Sequence, residues 1–314
     1  MPSPKPSVDI LLATYNCARF GPALLDSLLA QTHGDFRLIV RDDGSKDESL
    51  ALLESYRPRF GGRMTILEDR TPSGSATGNF ARLLAASEAD HILFADHDDV
   101  WLPEKVADTL ALLSEAEAVA GPGVPAYVFT DVRVVDAALA PVAESYWAFK
   151  RIDPAIARSL SHLLVCPPML GCASGLNRAL VERLLPMPVD AITGHDWYAL
   201  LVACIYGHTA WSPKPGLLYR LHGANVSAQA EVTVSRLARI EGKVQAVRHR
   251  MARRRAQAAA LLERFDDLPA EARDVIARFV ATGEQGFLAR RLTLLRGRYL
   301  FPDLTRNAGM LALG

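Results

Sequence analysis

The sequence has no paired cysteine motif and few cysteines at all. Cys17, Cys166, Cys172 and Cys204 are the four present, with no Cys-x-x-Cys among them. That spacing gives neither a zinc knuckle nor a disulfide framework, and reduced thiols in a cytoplasmic protein are the expectation. No uncharged apolar run reaches the roughly 18 residues a spanning helix needs. The first residues, Met1-Pro-Ser-Pro-Lys-Pro, carry a charge but no apolar run before Val8, unlike a secretory signal. No Gly-x-Gly-x-x-Gly follows the first apolar run, which disfavours a dinucleotide oxidoreductase. Gly74-Ser75-Ala76-Thr77-Gly78-Asn79 lacks the Gly-Lys-Ser/Thr ending of a phosphate loop. Repeats and low-complexity tracts are absent.

Net charge is absent too, with 35 basic and 35 acidic residues, but the balance is uneven along the chain. Residues 1–228 hold 19 lysines and arginines against 26 aspartates and glutamates, whereas residues 229–298 hold 15 against 8. The change of sign predicts two domains, 1–228 and 229–314, the second basic and α-helical.

Half of the 314 residues are apolar, enough for a large core with an appendage. Val8–Ala13, Phe36–Arg41, Met64–Leu67, His91–Ala95 and Tyr127–Thr130 read as short buried strands. Helical patterns lie between them: one opened by Pro22, one from about Lys46 with Ser45 and Glu48 spaced as a capping box, one over Thr77–Ser87, and one opened by Pro103 and Glu104. The alternation predicts an α/β fold, a mainly parallel central sheet with helices on both faces. Gly171–Leu176 reads as a further strand, with Arg178–Leu185 and His195–Tyr206 as helices. Beyond residue 229 no strand is expected, and residues 232–262, 269–281 and 284–297 read as helices.

In a parallel sheet, ligands collect beyond the carboxyl ends of the strands. Three polar clusters fall there: Thr14-Tyr15-Asn16, Asp42-Asp43-Gly44-Ser45 and Asp96-His97-Asp98-Asp99. Three carboxylates in four residues repel one another, and a divalent cation relieves that cost. A lone acidic turn is as readily a solvated turn or a helix cap; three clusters at successive strand ends favour a site.

Those motifs, Ala13-Thr14-Tyr15-Asn16, Arg41-Asp42-Asp43-Gly44-Ser45-Lys46-Asp47 and Ala95-Asp96-His97-Asp98-Asp99-Val100-Trp101, resemble family 2 of the glycosyltransferases, which have the GT-A fold. The resemblance covers roughly residues 7–228. With Gly194-His195-Asp196-Trp197 and the run from Tyr219 through His222 to Ser227, it is nearest the bacterial rhamnosyltransferase-like members. It implies an inverting, metal-dependent transferase using Mg2+ or Mn2+. The donor is expected to be dTDP-rhamnose first and a UDP-hexose second, and the acceptor a glycan or lipid-linked glycan of a surface polysaccharide or lipopolysaccharide.

The resemblance also implies roles. Thr14, Tyr15 and Asn16 would line the nucleoside pocket, and Asp42 would meet a pyrimidine edge. Asp96 would reach ribose or donor sugar, with His97 beside it. Asp98 and His222 would hold the metal. Asp196 would be the base that takes the acceptor proton, with His195 and Trp197 on the acceptor side. Gly171 and Cys172 would lie near the donor sugar, and Asn79 near the nucleotide. Each has a plainer alternative: Asp196 as a helix cap, Trp197 as core, His222 as a loop cap, the glycine segment as tight packing. His97, where such members often carry glutamine, has no settled role.

Arg248-His249-Arg250 and Arg253-Arg254-Arg255 mark the basic region. A solvated helix face, docking to the acidic domain, self-association or a peripheral place at the inner face of the cytoplasmic membrane would each suit it. Nucleic acid is not expected, since no aromatic residues interleave with the arginines. A non-catalytic nucleotide- or glycan-binding module of the same fold is the alternative to an enzyme. A phosphohydrolase using Asp96 and Asp98 lacks its Ser/Thr and Lys partners.

Overall fold

A computed structural model describes residues 7–222 and 236–313. The chain divides into two compact units. The first comprises the residues up to Tyr146 with Met169–Val189 and Gly194–Arg220; the second comprises Trp147–Pro168, Asp190–Thr193 and Leu221 onward. The expected boundary at residues 228 and 229 lies outside the described residues. The second unit also draws in two short segments from before it.

In the first unit β1 (Val8–Thr14), α1 (Gly21–Leu29), β2 (Arg37–Asp42), α2 (Ser49–Tyr56), β3 (Met64–Ile66), α3 (Ala76–Ala86) and β4 (His91–Asp96) follow in order. Then come β5 (Val100–Trp101), α4 (Lys105–Ala120), β6 (Ala126–Thr130), β7 (Arg133–Val135) and β8 (Pro141–Ala143). α5 (Tyr146–Lys150) stands at the division, and α6 (Leu160–Leu163) belongs to the second unit. The first unit resumes with β9 (Ser174–Asn177), α7 (Arg178–Leu184), α8 (His195–Tyr206), β10 (His208–Ser212) and β11 (Leu217–Arg220).

Seven strands form the central sheet in the order β10-β6-β9-β4-β1-β2-β3. All its pairings are parallel except the two that β9 makes, with β4 and with β6. All seven residues of β1 are buried, the pattern of a strand covered on both faces. β1, β2 and β4 run in register, so Thr14 lies beside Asp42 and Ala13 beside Asp96. The three polar clusters therefore leave the sheet at one edge. A second sheet, β5-β11-β7-β8, begins just after the acidic cluster.

The structure departs from the sequence reading in places. The capping box does not form: α2 begins at Ser49, and the Ser45 hydroxyl donates to Asp42. Gly171–Ala173 is a 3-10 turn, and the strand starts only at Ser174. Strands β5, β7, β8, β10 and β11 were not foreseen. All five are two to five residues long; β5, β7, β10 and β11 have partners distant in sequence, and β8 pairs only with the nearby β7.

The second unit is helical among its described residues: α9 (Arg236–Arg264), α10 (Ala270–Ala281), α11 (Phe287–Arg296) and an unforeseen α12 (Leu304–Leu313). Met251, Leu261, Ile276, Phe279, Leu294, Tyr299 and Met310 are buried in it. Gln257 on α9 accepts from Thr193 N at 2.7 Å, and Arg253 donates to Ile192 O at 2.9 Å, which ties the 190–193 segment to that helix.

Candidate active site

The site grows from the β1 and β2 ends. Asp42, expected to meet a pyrimidine edge, instead spends its carboxylate on its own turn. One oxygen accepts from Gly44 N and Ser45 N at 3.1 and 2.9 Å, and the other from the Ser45 and Thr14 hydroxyls. It is 1% exposed. Gly44 follows at φ +84°, a backbone that favours glycine. Asn16, also left-handed at φ 52°, accepts from Lys46 N at 2.9 Å, while its own N–H donates to the Ser45 hydroxyl at 2.8 Å. The two turns are thereby locked together. Thr14 is buried, whereas Tyr15 and Asn16 are exposed, and Tyr15 stands half exposed as the aromatic member of the cluster.

Asn79, expected near the nucleotide, is buried and ties the strands together: its amide donates to Thr14 O and Arg41 O, and its oxygen accepts from Arg41 at 3.1 Å. Arg41 is the hub that sequence reading missed. Fully buried, it donates to Asp43 at 2.7 Å, to Asp69 at 3.1 Å and to Thr71 O at 2.6 Å.

At the β4 end, ligand atoms of Asp96, Asp99 and Cys172 lie within 4.8 Å of one another. Burial, then the charges of Asp98 and Asp196, push the Asp96 carboxyl up to about 7. Asp99 is fully buried, its carboxyl raised well above the usual range by burial and by Asp98 and Asp96. One Asp99 oxygen accepts from Arg220 N at 3.2 Å; among the described residues the other accepts from no N–H or O–H group. Burial raises the Cys172 thiol as well. Asp96, Asp98 and Asp99 bring like-charged carboxylate oxygens together here, a set that fits a hard dication.

Lys105 sits under this cluster with its ammonium 4.5 Å from the Trp101 ring centroid. Burial pushes it down to about 8, against the pull of Cys172 and Asp99. Arg220, at the end of β11, holds the acidic loop from the other side. Its side chain donates to Asp98 O and to Ala137 O, both at 2.8 Å, and lies over the Phe20 ring at 4.6 Å. Neither residue was singled out for this role by the sequence, because both reach the loop through tertiary packing.

Asp196 joins the cluster from the first turn of α8, its charge felt by Asp96. It is not the helix cap; Gly194 holds that position. Two glycines make room for its carboxylate. A Cβ on Gly171 would lie 2.9 Å from one Asp196 oxygen, and a Cβ on Gly194 2.6 Å from the other. The structure thus gives Gly171 a contact with Asp196.

His195 and Trp197, expected on the acceptor side, are core residues. His195 stacks on Phe80 with centroids 4.0 Å apart and meets Phe94 edge-on at 4.8 Å. Burial lowers its ring below the usual histidine range. Trp197 is buried as well. His97 and Asp98 are half-buried beside Asp96. His222 belongs to the second unit, two residues beyond β11, and the rest of its motif, Gly223 to Ser227, lies outside the described residues.

Residues 9–185 match the family model for glycosyl transferase family 2. The chain is 25% identical over 228 residues to an uncharacterized glycosyltransferase of Nostoc sp., covering 69% of this chain and 66% of that one. It is 25% identical over 237 residues to the dTDP-rhamnosyl transferase RfbG of Shigella flexneri, covering 70% and 76%. A Bacillus subtilis relative is matched over only 49% of its length. Among solved structures, the mannosyltransferase PcManGT of Pyrobaculum calidifontis in complex with GDP-Man and Mn2+ superposes with TM-score 0.60 at 16% identity, over 95% of this chain and 74% of that one. TarS of Staphylococcus aureus in complex with UDP does so at 0.56 and 19%, over 88% and 71%. These structural likenesses carry the fold.

Proposed function

The chain belongs to glycosyl transferase family 2 and is a glycosyltransferase of the GT-A fold, and on that premise we propose an inverting, metal-dependent transfer to a hydroxyl of a cell-surface polysaccharide or lipopolysaccharide acceptor. dTDP-rhamnose is the first donor proposed, in keeping with the name of the Shigella relative, and a UDP-hexose the second. The observation that carries the reading is the acidic gathering at the β4 end, where Asp96 and Asp99 cluster and the charge of Asp196 reaches Asp96.

In this mechanism Asp96 meets the ribose or donor sugar and Asp196 takes the proton of the acceptor hydroxyl as it attacks the anomeric carbon from the face opposite the leaving diphosphate. Asp98 would hold Mg2+ or Mn2+. When bound, the cation would supply Lewis-acid neutralisation of the leaving nucleoside diphosphate. Asp99 stays in the loop as a buried anchor, held by Arg220 N. Asp42, Asn79 and Asn16 act by fixing the turns on which Thr14 and Tyr15 stand. Tyr15, half exposed at the β1 end, is the residue of that cluster free to stack on a base.

The proposal extends to a peripheral place at a membrane surface. α11 turns Phe287, Leu288, Leu292 and Leu295 outward at 64, 72, 50 and 48% exposure, with Arg291 and Arg296 on the same helix. Arg291 lies within this apolar face, over the Phe287 ring, and Arg296 at its edge; exposed apolar residues with arginines beside them suit a helix that lies in a lipid interface.

A thermal-shift series with dTDP-rhamnose, UDP-hexoses and GDP-mannose, each with and without Mn2+, tests the donor reading. Binding to the folded state raises apparent stability by mass action. The expected result is a Mn2+-dependent rise with dTDP-rhamnose or a UDP-hexose; a rise with none of them, or an equal one in chelator, contradicts it.

A further inference from the structure

The second unit contains a cavity that the transferase reading does not use. It lies among α9, α12 and Phe301 and has a volume of about 370 Å3. That is within the roughly 300–1,000 Å3 typical of small-molecule sites. Its lining has two characters. Val247, Met251, Phe301 and Met310 are apolar; Arg250, Arg254 and Arg306 are cationic. Among the described residues no acidic one lines it.

Three like charges around one cavity are costly. Arg254 shows this: burial first, then Arg250 and Arg306, push its guanidinium down to about 10. Its carbon lies 5.0 Å from the Phe301 ring centroid, and it donates to Met251 Sδ at 3.4 Å. Arg250 and Arg306 are exposed at the rim. Among the described residues neither guanidinium is paired with a carboxylate; Asp303, at the start of α12, accepts instead from the Arg306 backbone N–H at 3.0 Å. Burial raises the Cys166 thiol, against the opposing pull of Arg254 and Arg306. The wall is a built one, because Asn307 clamps Phe301 by accepting from its N–H at 2.7 Å and donating to its carbonyl at 2.8 Å.

We propose that this cavity binds a phosphate or diphosphate group carried on an apolar chain. Arginine's planar fork suits phosphate oxygens, and each charged hydrogen bond is among the stronger polar contacts. The anion would relieve the repulsion among the three guanidinium groups. The apolar walls would take the first part of the chain, which a free phosphate does not have. The proposal stands on the second unit's own residues and does not depend on the donor reading.

The test is isothermal calorimetry on the full chain in chelator, so that no cation assists binding elsewhere. The probes are geranyl diphosphate, inorganic pyrophosphate and geraniol. Geranyl diphosphate is expected to bind about tenfold or more tighter than pyrophosphate, and geraniol weakly, since both charge and chain contribute. An Arg250→Gln/Arg306→Gln variant should lose about tenfold or more in geranyl diphosphate affinity. Gly309 lines the cavity and a Cβ there would meet nothing within 4 Å. Gly309→Phe therefore fills the space while leaving all three arginines in place, and should weaken geranyl diphosphate more than pyrophosphate. Circular dichroism melts identify any variant that fails to fold. Absence of geranyl diphosphate binding, equal affinity for the two diphosphates, or affinity unchanged in both folded variants would each overturn the proposal.

Discussion

Asp196 sits where two missing Cβ atoms let it sit. Gly171 and Gly194 each leave the space that an alanine would take from its carboxylate. Gly171→Ala should therefore shift Asp196 with little change in the fold. A misplacement of about 1 Å can cost on the order of 100-fold in rate. The expected outcome is a kcat lowered by about that factor with donor affinity near wild type, read by steady-state kinetics and donor titration. A second residue-scale prediction concerns Asp96. Its folded carboxyl is raised to about 7 by burial and by Asp98 and Asp196. A raised carboxyl contributes stability that is fully present below its unfolded value and is lost as pH rises through the folded one. In chelator, the Asp96 contribution to the melting temperature should fall between about pH 4 and about pH 7, and Asp96→Asn should flatten the fall. The motif residues were legible as a site, but their individual tasks were not. Asp42 reads as a ligand contact in sequence, yet Thr14, Gly44 and Ser45 take both its oxygens. His195 reads as acceptor-facing, yet Phe80 and Phe94 enclose it. Direction within a turn is set by tertiary partners, which a linear pattern does not contain.

Among the elements, the long ones followed their sequence patterns. β1, β4 and α8 lie where apolar run and helical period predict them, because burial on the core face dominates their energetics. The second sheet was invisible for the opposite reason. β5 has two residues and pairs with β11 across more than a hundred positions, so nothing local encodes it. That pairing brings Arg220 to the acidic loop. Arg41 does comparable work under β2, where it joins Asp43, Asn79, Asp69 and Thr71. Breaking one partner of a buried ion pair typically costs about 3–5 kcal/mol. Arg41→Ala should lower unfolding stability by about that amount in a urea titration, and Arg41→Lys should recover only part, since one ammonium lacks the planar fork. For α11, a Leu288→Asp/Leu292→Asp variant should lose cosedimentation with vesicles containing phosphatidylglycerol while keeping the same melting temperature. Equal sedimentation of wild type and variant would remove the helix from any membrane role.

Across the whole molecule, the reversal of charge between residues 1–228 and 229–298 marks two kinds of surface on one chain. The first unit carries the acidic site and most of the family match, which also takes in residues 147–168 of the second. The second carries the arginine-lined cavity and the outward apolar face of α11. Composition places a change of charge at residues 228 and 229, outside the described residues, and nothing in it points to the membership of residues 147–168 and 190–193 in the second unit. Those segments carry little charge pattern of their own and are assigned by what they pack on. The central claim remains chemical: sugar leaves a nucleotide donor at the carboxylates that end β4. The most direct measurement is release of nucleoside diphosphate from dTDP-rhamnose or a UDP-hexose by wild type in Mn2+, by wild type in chelator, and by Asp98→Asn in Mn2+. The account predicts release in the first case and its loss in the other two, by about 100-fold or more if the cation stabilises the leaving group by several kcal/mol. Release that persists undiminished in chelator and in Asp98→Asn would contradict it.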